Sequence, residues 1–214
     1  ASFGADPGHL LAASIMSAPA AIVVAKLLVP ETEKPKTGGH ERIEVQVESH
    51  NVMDGAARGA SDGVMLAINV GALLIAFVSL IYAVNVACDA VFGVTFSEAV
   101  GYGFVPFAVL MGVPLEDAPA VGQLLGTKTI VNEFIAYTEL QTMIADNTLQ
   151  PRSITIATYA LCGFANPGSL GILLAGLVGL APERRRDITQ LGLKSFIGGT
   201  LAVFMTACIA GILI

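Results

Sequence analysis

Charge is scarce in this sequence. Asp, Glu, Lys and Arg make up 13% of its 214 residues, 54% are hydrophobic and the mean hydropathy is +0.73. A soluble domain carries about 25% charged residues, so this composition implies a polytopic membrane protein. Cysteine is equally sparse: Cys88, Cys162 and Cys208 all lie in or beside apolar segments and form neither a disulfide framework nor a metal-ligand spacing. His9, His40 and His50 fall outside the apolar runs or at their edges, which leaves no imidazole expected beside a nucleophile. HExxH, CxxC and a phosphate loop are missing, so enzyme chemistry has little to stand on. A net charge of -6 argues against nucleic acid as a partner. The opening ASFGADPGH lacks the basic start and short apolar core of a signal peptide, and the sequence has no initiator Met; it is expected to begin inside a longer chain.

What the sequence does have is long apolar runs. A bilayer span needs about 20 mostly apolar residues. Residues 10–29 qualify, interrupted only by Lys26 near one end, where the side chain can snorkel to the interface. Residues 64–88 are charge-free between Asp62 and Asp89 and read as an ordinary spanning helix. Asn69 and Asn85 within it suit interhelical hydrogen bonds. Residues 195–214 form a last charge-free span after the basic turn Arg184-Arg185-Arg186. Between the first two spans, residues 30–62 read as a loop with an EVQVE alternation, followed by an interfacial helix in which Gly55, Gly59 and Gly63 stand four apart, either for close helix approach or as incidental glycines at a helix start. Residues 96–115, interrupted by Gly101, Gly103, Pro106 and Pro114, read as a second interfacial helix.

Two stretches depart from this plain pattern. No charge interrupts the sequence between Arg152 and Glu183, yet its centre is GFANPGS. Pro167 removes a backbone donor and pushes Asn166 away from the helical region, while Gly163 and Gly168 add no stiffness. The expectation is two half-helices with an unwound joint at mid-membrane, a backbone tolerated only where it is buried in protein or lines a polar cavity. A Pro-kinked structural helix is the plainer alternative. Residues 116–150 hold two apolar pieces around VNEFIAY, each too short to span, and the pair reads as a re-entrant hairpin. Gly122 and Gly126 are placed to let its two arms pack tightly.

The basic residues test this layout. Lys34, Lys36, Arg42 and Arg58 mark one cytoplasmic loop, and Arg184, Arg185, Arg186 and Lys194 mark another, whereas the link from Asp89 to Glu98 has no Lys or Arg. One crossing between each pair then requires residues 116–150 to begin and end on the outside, with both ends of the chain external. Four spans and one hairpin account for the sequence.

Chemistry concentrates at the two unusual stretches. A carboxylate at membrane depth costs about 2.5–3.5 kcal/mol on insertion scales for comparable charged groups, so Glu133 should face a cavity or a partner. Lys128, five residues earlier, is a candidate ion-pair partner. Asn132 offers donors and an acceptor, and Phe134 a flat apolar face. Cys162 reads as a small packing residue. Amides, a hydroxyl and aromatic faces converging with a carboxylate at a broken helix suit a neutral solute with hydroxyls and a planar ring.

At these residues the chain resembles the concentrative nucleoside transporters. The stretches that carry the resemblance are SAPAAIVVAKLLVPETE, AARGASDG, GYGFVPFAVLMGVP, VNEFIAY, ALCGFANPGSLGI and RRRDI. It covers nearly the whole chain and corresponds to the C-terminal half of a family member. The resemblance implies an all-α membrane protein, half of an inverted-repeat carrier, with a re-entrant hairpin and a broken transmembrane helix. It implies scaffold-type spans over 1–115, a transport-type unit over 116–182 and a terminal scaffold-type span over 183–214. It also implies a homotrimer in membrane lipid and cation-coupled symport of nucleosides; the alternatives are a carrier of another polar solute on the same scaffold, or a structural fragment inactive without an amino-terminal half. By the same resemblance Glu133, Asn166 and Ser169 hold the ribose hydroxyls, and Phe164 lines the pocket. The elements that in the family contact the base and carry the principal sodium site belong to an amino-terminal half not present in this sequence, so no cofactor is expected here. The chain has no Asn-x-Ser/Thr acceptor, which favours a bacterial inner membrane.

Overall fold

The computed structural model describes residues 5–32 and 51–214, and within them every regular element is helical. Lys34, Lys36, Arg42, His40, His50 and the EVQVE alternation lie outside the described residues.

Asp6 opens α1 (Pro7–Leu28) by accepting from the amides of Gly8 and His9, with Pro7 at the first helical position, where a missing donor does no harm. α2 (Val52–Phe92) is one continuous helix of 41 residues capped by Asn51 and ended by Gly93 in the left-handed conformation. The separate interfacial helix expected before residue 64 therefore does not exist. Gly59 and Gly63 each weaken a helix by about 1 kcal/mol, but no proline interrupts the hydrogen-bond ladder, so the helix runs on. At ~1.5 Å per residue its length is about 60 Å, twice a hydrocarbon core of about 30 Å. A methyl group added at Gly59 or Gly63 would meet nothing within 4 Å, so these glycines serve no close helix approach among the described residues.

α3 (Phe96–Leu110) begins with a reciprocal cap between Thr95 and Glu98 and, at 15 residues, is too short to cross a bilayer. α4 (Ala118–Ile130) and α5 (Glu133–Ala145) form a helical hairpin that turns at Val131-Asn132. α6 (Pro151–Leu161) and α7 (Pro167–Leu180) are the two halves of the broken helix. A 3-10 turn (Pro182–Arg184) leads into α8 (Arg185–Leu213), so the basic turn starts the same helix that forms the last span. α1, α2 and α8 with its leading turn are long and apolar enough to cross a membrane, whereas α6 and α7, of 11 and 14 residues, are each too short to do so alone.

The core lies where α3, the hairpin, α6 and α8 meet. Val121, Leu124 and Leu125 of α4, Leu140 of α5, and Ile156 and Leu161 of α6 are fully buried there, and Phe204 of α8 packs edge-on against Phe104 of α3. α1 lies along α8, with Ala20 and Val24 buried against Ala202. The glycines of α4 act differently from expectation. A methyl group at Gly126 would stand 2.7 Å from the Gly101 backbone, and one at Gly122 would stand 2.9 Å from the Gly101 carbonyl. The close approach is between α3 and α4, not between the two arms of the hairpin. At the base of the hairpin Asp117, ahead of α4, accepts from the Gln150 amide at 2.9 Å and from the Ser153 hydroxyl at the start of α6. The chain thus enters and leaves the hairpin at one place.

Candidate functional site

The hairpin tip sits against the joint of the broken helix, and the reason is local on both sides. α6 stops at Leu161 because the following residues cannot continue its ladder, and Gly163 is required where it stands: a methyl group there would collide with Val203 of α8. α7 restarts at Pro167, which occupies the first helical position rather than a kink inside a helix. Asn166 is the cap of α7. Its side-chain oxygen accepts from the Ser169 amide at 2.8 Å, and its own amide donates to the Ser169 hydroxyl oxygen at 2.9 Å. On the hairpin, Asn132 caps α5 by accepting from the Ile135 amide at 2.9 Å, which places Glu133 in the first turn, where the helix dipole favours its negative charge.

These two caps meet. The Asn166 side-chain amide donates to Glu133 Oε2 at 3.2 Å, so the carboxylate at the tip and the cap of α7 are directly linked. Asn166 is 1% exposed and fully engaged; Glu133 is half-buried and keeps most of its four acceptor sites for something else. Ser169 is 4% exposed, and its hydroxyl lies 2.8 Å from the Asn166 carbonyl and 3.0 Å from that of Phe164. Phe164, 57% exposed, presents its ring beside them and lines a small cleft of about 140 Å³ together with Ala165, Ser169 and Phe196. The structure therefore brings Glu133, Asn166, Ser169 and Phe164 to one place, with Ser169 committed to the cap. Such a cleft is smaller than the ~300 Å³ or more of a typical ligand pocket, and Glu133 and Asn166 stand outside its lining. A larger cleft of about 430 Å³ lies on another face of the hairpin, between α2, α3 and Glu139, and none of the four residues lines it.

The alternative reading, in which Lys128 pairs with Glu133, gives way to a different arrangement. Lys128 points into the core and donates to the Ala160 carbonyl at 2.8 Å, at the end of α6. Tyr137 of the other arm donates to the Thr158 carbonyl at 2.8 Å. Both arms thus grip the C-terminal turn of α6 while the tip holds the cap of α7. His9 also stands nearer than its position in the sequence suggests, its Nδ1 lying 3.2 Å from the Tyr159 hydroxyl three residues before Cys162. Cys162 packs against Leu10 and Ser14 of α1. Tyr137, Tyr159 and Asp117 were not singled out by sequence reasoning, because each meets its partner far away in the sequence. Among the described residues no group of three or more His, Cys, Asp or Glu side chains is placed to hold a metal ion.

A hairpin tied across the joint of a broken helix, in a chain with further helices long enough to cross a bilayer, defines a polytopic helical membrane protein built around a discontinuous span. The chain belongs to the family of sodium-dependent nucleoside transporters: the family described as "Na+ dependent nucleoside transporter C-terminus" matches residues 9–211. This is a family of transporters, not of enzymes. The chain is 45% identical over 232 residues to solute carrier family 28 member 3 of Mus musculus, covering 99% of this chain and 33% of that protein. It is 46% identical over 213 residues to the uncharacterized transporter YutK of Bacillus subtilis, covering 96% of this chain and 52% of that protein. Its structure superposes on that of CNTnw in an inward-facing substrate-bound state with a TM-score of 0.83 at 40% identity, covering 98% of this chain and 51% of the other. The chain thus spans between a third and about half the length of the relatives it matches.

Proposed function

We propose that this chain works within a sodium-coupled nucleoside symporter and supplies the ribose side of the substrate site. The observation that carries this reading is the Glu133–Asn166 contact, which joins the hairpin tip to the joint of the broken helix in a chain of this family. A ribose diol offers two adjacent donors, and a carboxylate accepts both. Asn166 holds that carboxylate in place, Ser169 holds Asn166, and Phe164 offers an apolar face beside them. In this reading the base contacts and most of the sodium site come from an amino-terminal half, the working unit is a homotrimer in a bacterial inner membrane, and both chain ends face outward. The hairpin re-enters the bilayer and, with the broken helix, makes up the transport-type unit of residues 116–182, set against scaffold-type spans over 1–115 and 183–214. The glycine contact between α3 and α4 ties α3 to that unit as well. The test is binding of labelled uridine to the full-length transporter, with and without sodium, in competition with adenosine and with ribose-free bases. Sodium-dependent binding displaced by adenosine and not by free bases is expected; displacement by free bases alone removes the ribose from the account.

A further inference from the structure

Lys128 is a lysine whose whole side chain is 1% exposed, the largest fully buried side chain among the described residues. Burying an ammonium is costly unless its surroundings favour the charge, and breaking such an arrangement costs more. The last turn of α6 leaves four carbonyls without partners inside the helix, and each is met separately. Tyr159 accepts from the Cys162 amide and Leu161 from the Gly163 amide. Thr158 accepts from the Tyr137 hydroxyl, and Ala160 accepts from Lys128 Nζ at 2.8 Å. A neutral hydroxyl satisfies one of these carbonyls, so satisfying the other did not demand a charge. What does favour a charge is the negative end of the helix dipole, the face of Phe204 with its centroid 6.0 Å from Nζ, and the attraction of Glu133.

The C-terminal end of a half-helix inside a membrane is also the setting in which transporters coordinate small monovalent cations, and each of these carbonyl oxygens keeps a second lone pair beside the bond it already accepts. We propose that Lys128 is a tethered cation: its ammonium fills a monovalent-cation site formed by the C-terminal turn of α6, and shortening the side chain opens that site to a mobile cation such as sodium or methylammonium. The charge is thereby fixed in the protein, so this half of the molecule balances Glu133 without recruiting an ion. The inference concerns the joint rather than the solute and stands whether or not the solute is a nucleoside.

The test uses the full-length transporter purified in detergent, with thermal stability read in choline, sodium and methylammonium chloride and no nucleoside present. Wild type should show no response to methylammonium over choline. Lys128→Ala should melt earlier in choline and recover several degrees in millimolar methylammonium. Lys128→Met, which fills the space without charge, should show no such recovery. If Lys128→Ala gains nothing from methylammonium or sodium beyond the wild-type response, the side chain is packing and the proposal is wrong. Should Lys128→Ala fail to fold, the double-mutant cycle of Lys128→Met with Glu133→Gln decides the matter. A smaller loss of stability from Lys128→Met in the Glu133→Gln background supports the proposal, and additive losses overturn it.

Discussion

Asp117 and Ser153 lie 36 residues apart in sequence and meet at the base of the hairpin, where the Asp117 carboxylate accepts from the Ser153 hydroxyl and from the Gln150 amide. α6 has no side-chain cap of its own, so the residue ahead of the first hairpin arm caps the helix that follows the second. Hairpin and broken helix are therefore fastened at both ends, by Asp117 at the base and by Glu133 at the tip.

Removing the lower fastening should be costly. Hydrogen bonds to a charged group contribute about 1.5–3 kcal/mol each, so Asp117→Ala should lower the thermal midpoint of the full-length transporter measurably, and Ser153→Ala by less. An unchanged midpoint for Asp117→Ala means that packing alone holds the hairpin shut.

The α3–α4 crossing has no room for side chains. Because a methyl group at Gly126 meets backbone rather than a flexible side chain, Gly126→Ala should force the helices apart at a cost of about 1–3 kcal/mol. Gly59→Ala, with nothing within 4 Å, should be neutral or slightly stabilising. Comparing the two melting curves separates a packing glycine from an incidental one.

Asn166 and Ser169 should separate in the same way between binding and folding. Asn166→Ala removes a helix cap, worth about 0.5–2 kcal/mol, and also releases Glu133, so both stability and uridine affinity should fall. Ser169→Ala should lower stability and affect affinity less than Asn166→Ala, because its hydroxyl is spent within the cap. A larger affinity loss for Ser169→Ala, at equal stability, would place that hydroxyl on the solute instead.

Arg152 stands at the opposite end of α6 from the joint. Its guanidinium donates to the carbonyls of Gly112, Gly211 and Ile214, closing the end of α8 against the turn that follows α3. Arg152→Lys cannot reproduce a planar fork with three acceptors and should lower the thermal midpoint almost as far as Arg152→Ala. Full rescue by lysine reduces the contact to a point charge.

The sequence exposed its apolar spans, the hairpin and the break at GFANPGS because each rests on local chemistry: charge-free length, a run too short to cross, and a proline after an asparagine. It also marked Glu133, Phe164, Asn166 and Ser169, largely through the NEF and GFAN motifs, and the structure brings all four together. What it hid is tertiary. Lys128 lies five residues from Glu133 on the way to a helix tip, which suggests an ion pair, but the α4 helix turns its ammonium to Ala160 in the core. Gly122 and Gly126 show a small face without showing which neighbour uses it. The continuity of α2 was missed because two glycines and a change from polar to apolar residues resemble a boundary, whereas only a broken hydrogen-bond ladder makes one.

The most direct measurement is equilibrium binding of uridine to the full-length transporter carrying Glu133→Gln, beside a melting curve of the same protein. The carboxamide keeps the shape and can still meet Asn166, but one of its two acceptor atoms becomes a donor and the charge is lost. The account predicts a loss of uridine affinity of roughly tenfold to a hundredfold, the size of one charge-assisted hydrogen bond, in a protein whose melting curve still shows a cooperative folded state. Wild-type affinity in a stably folded Glu133→Gln protein would contradict it.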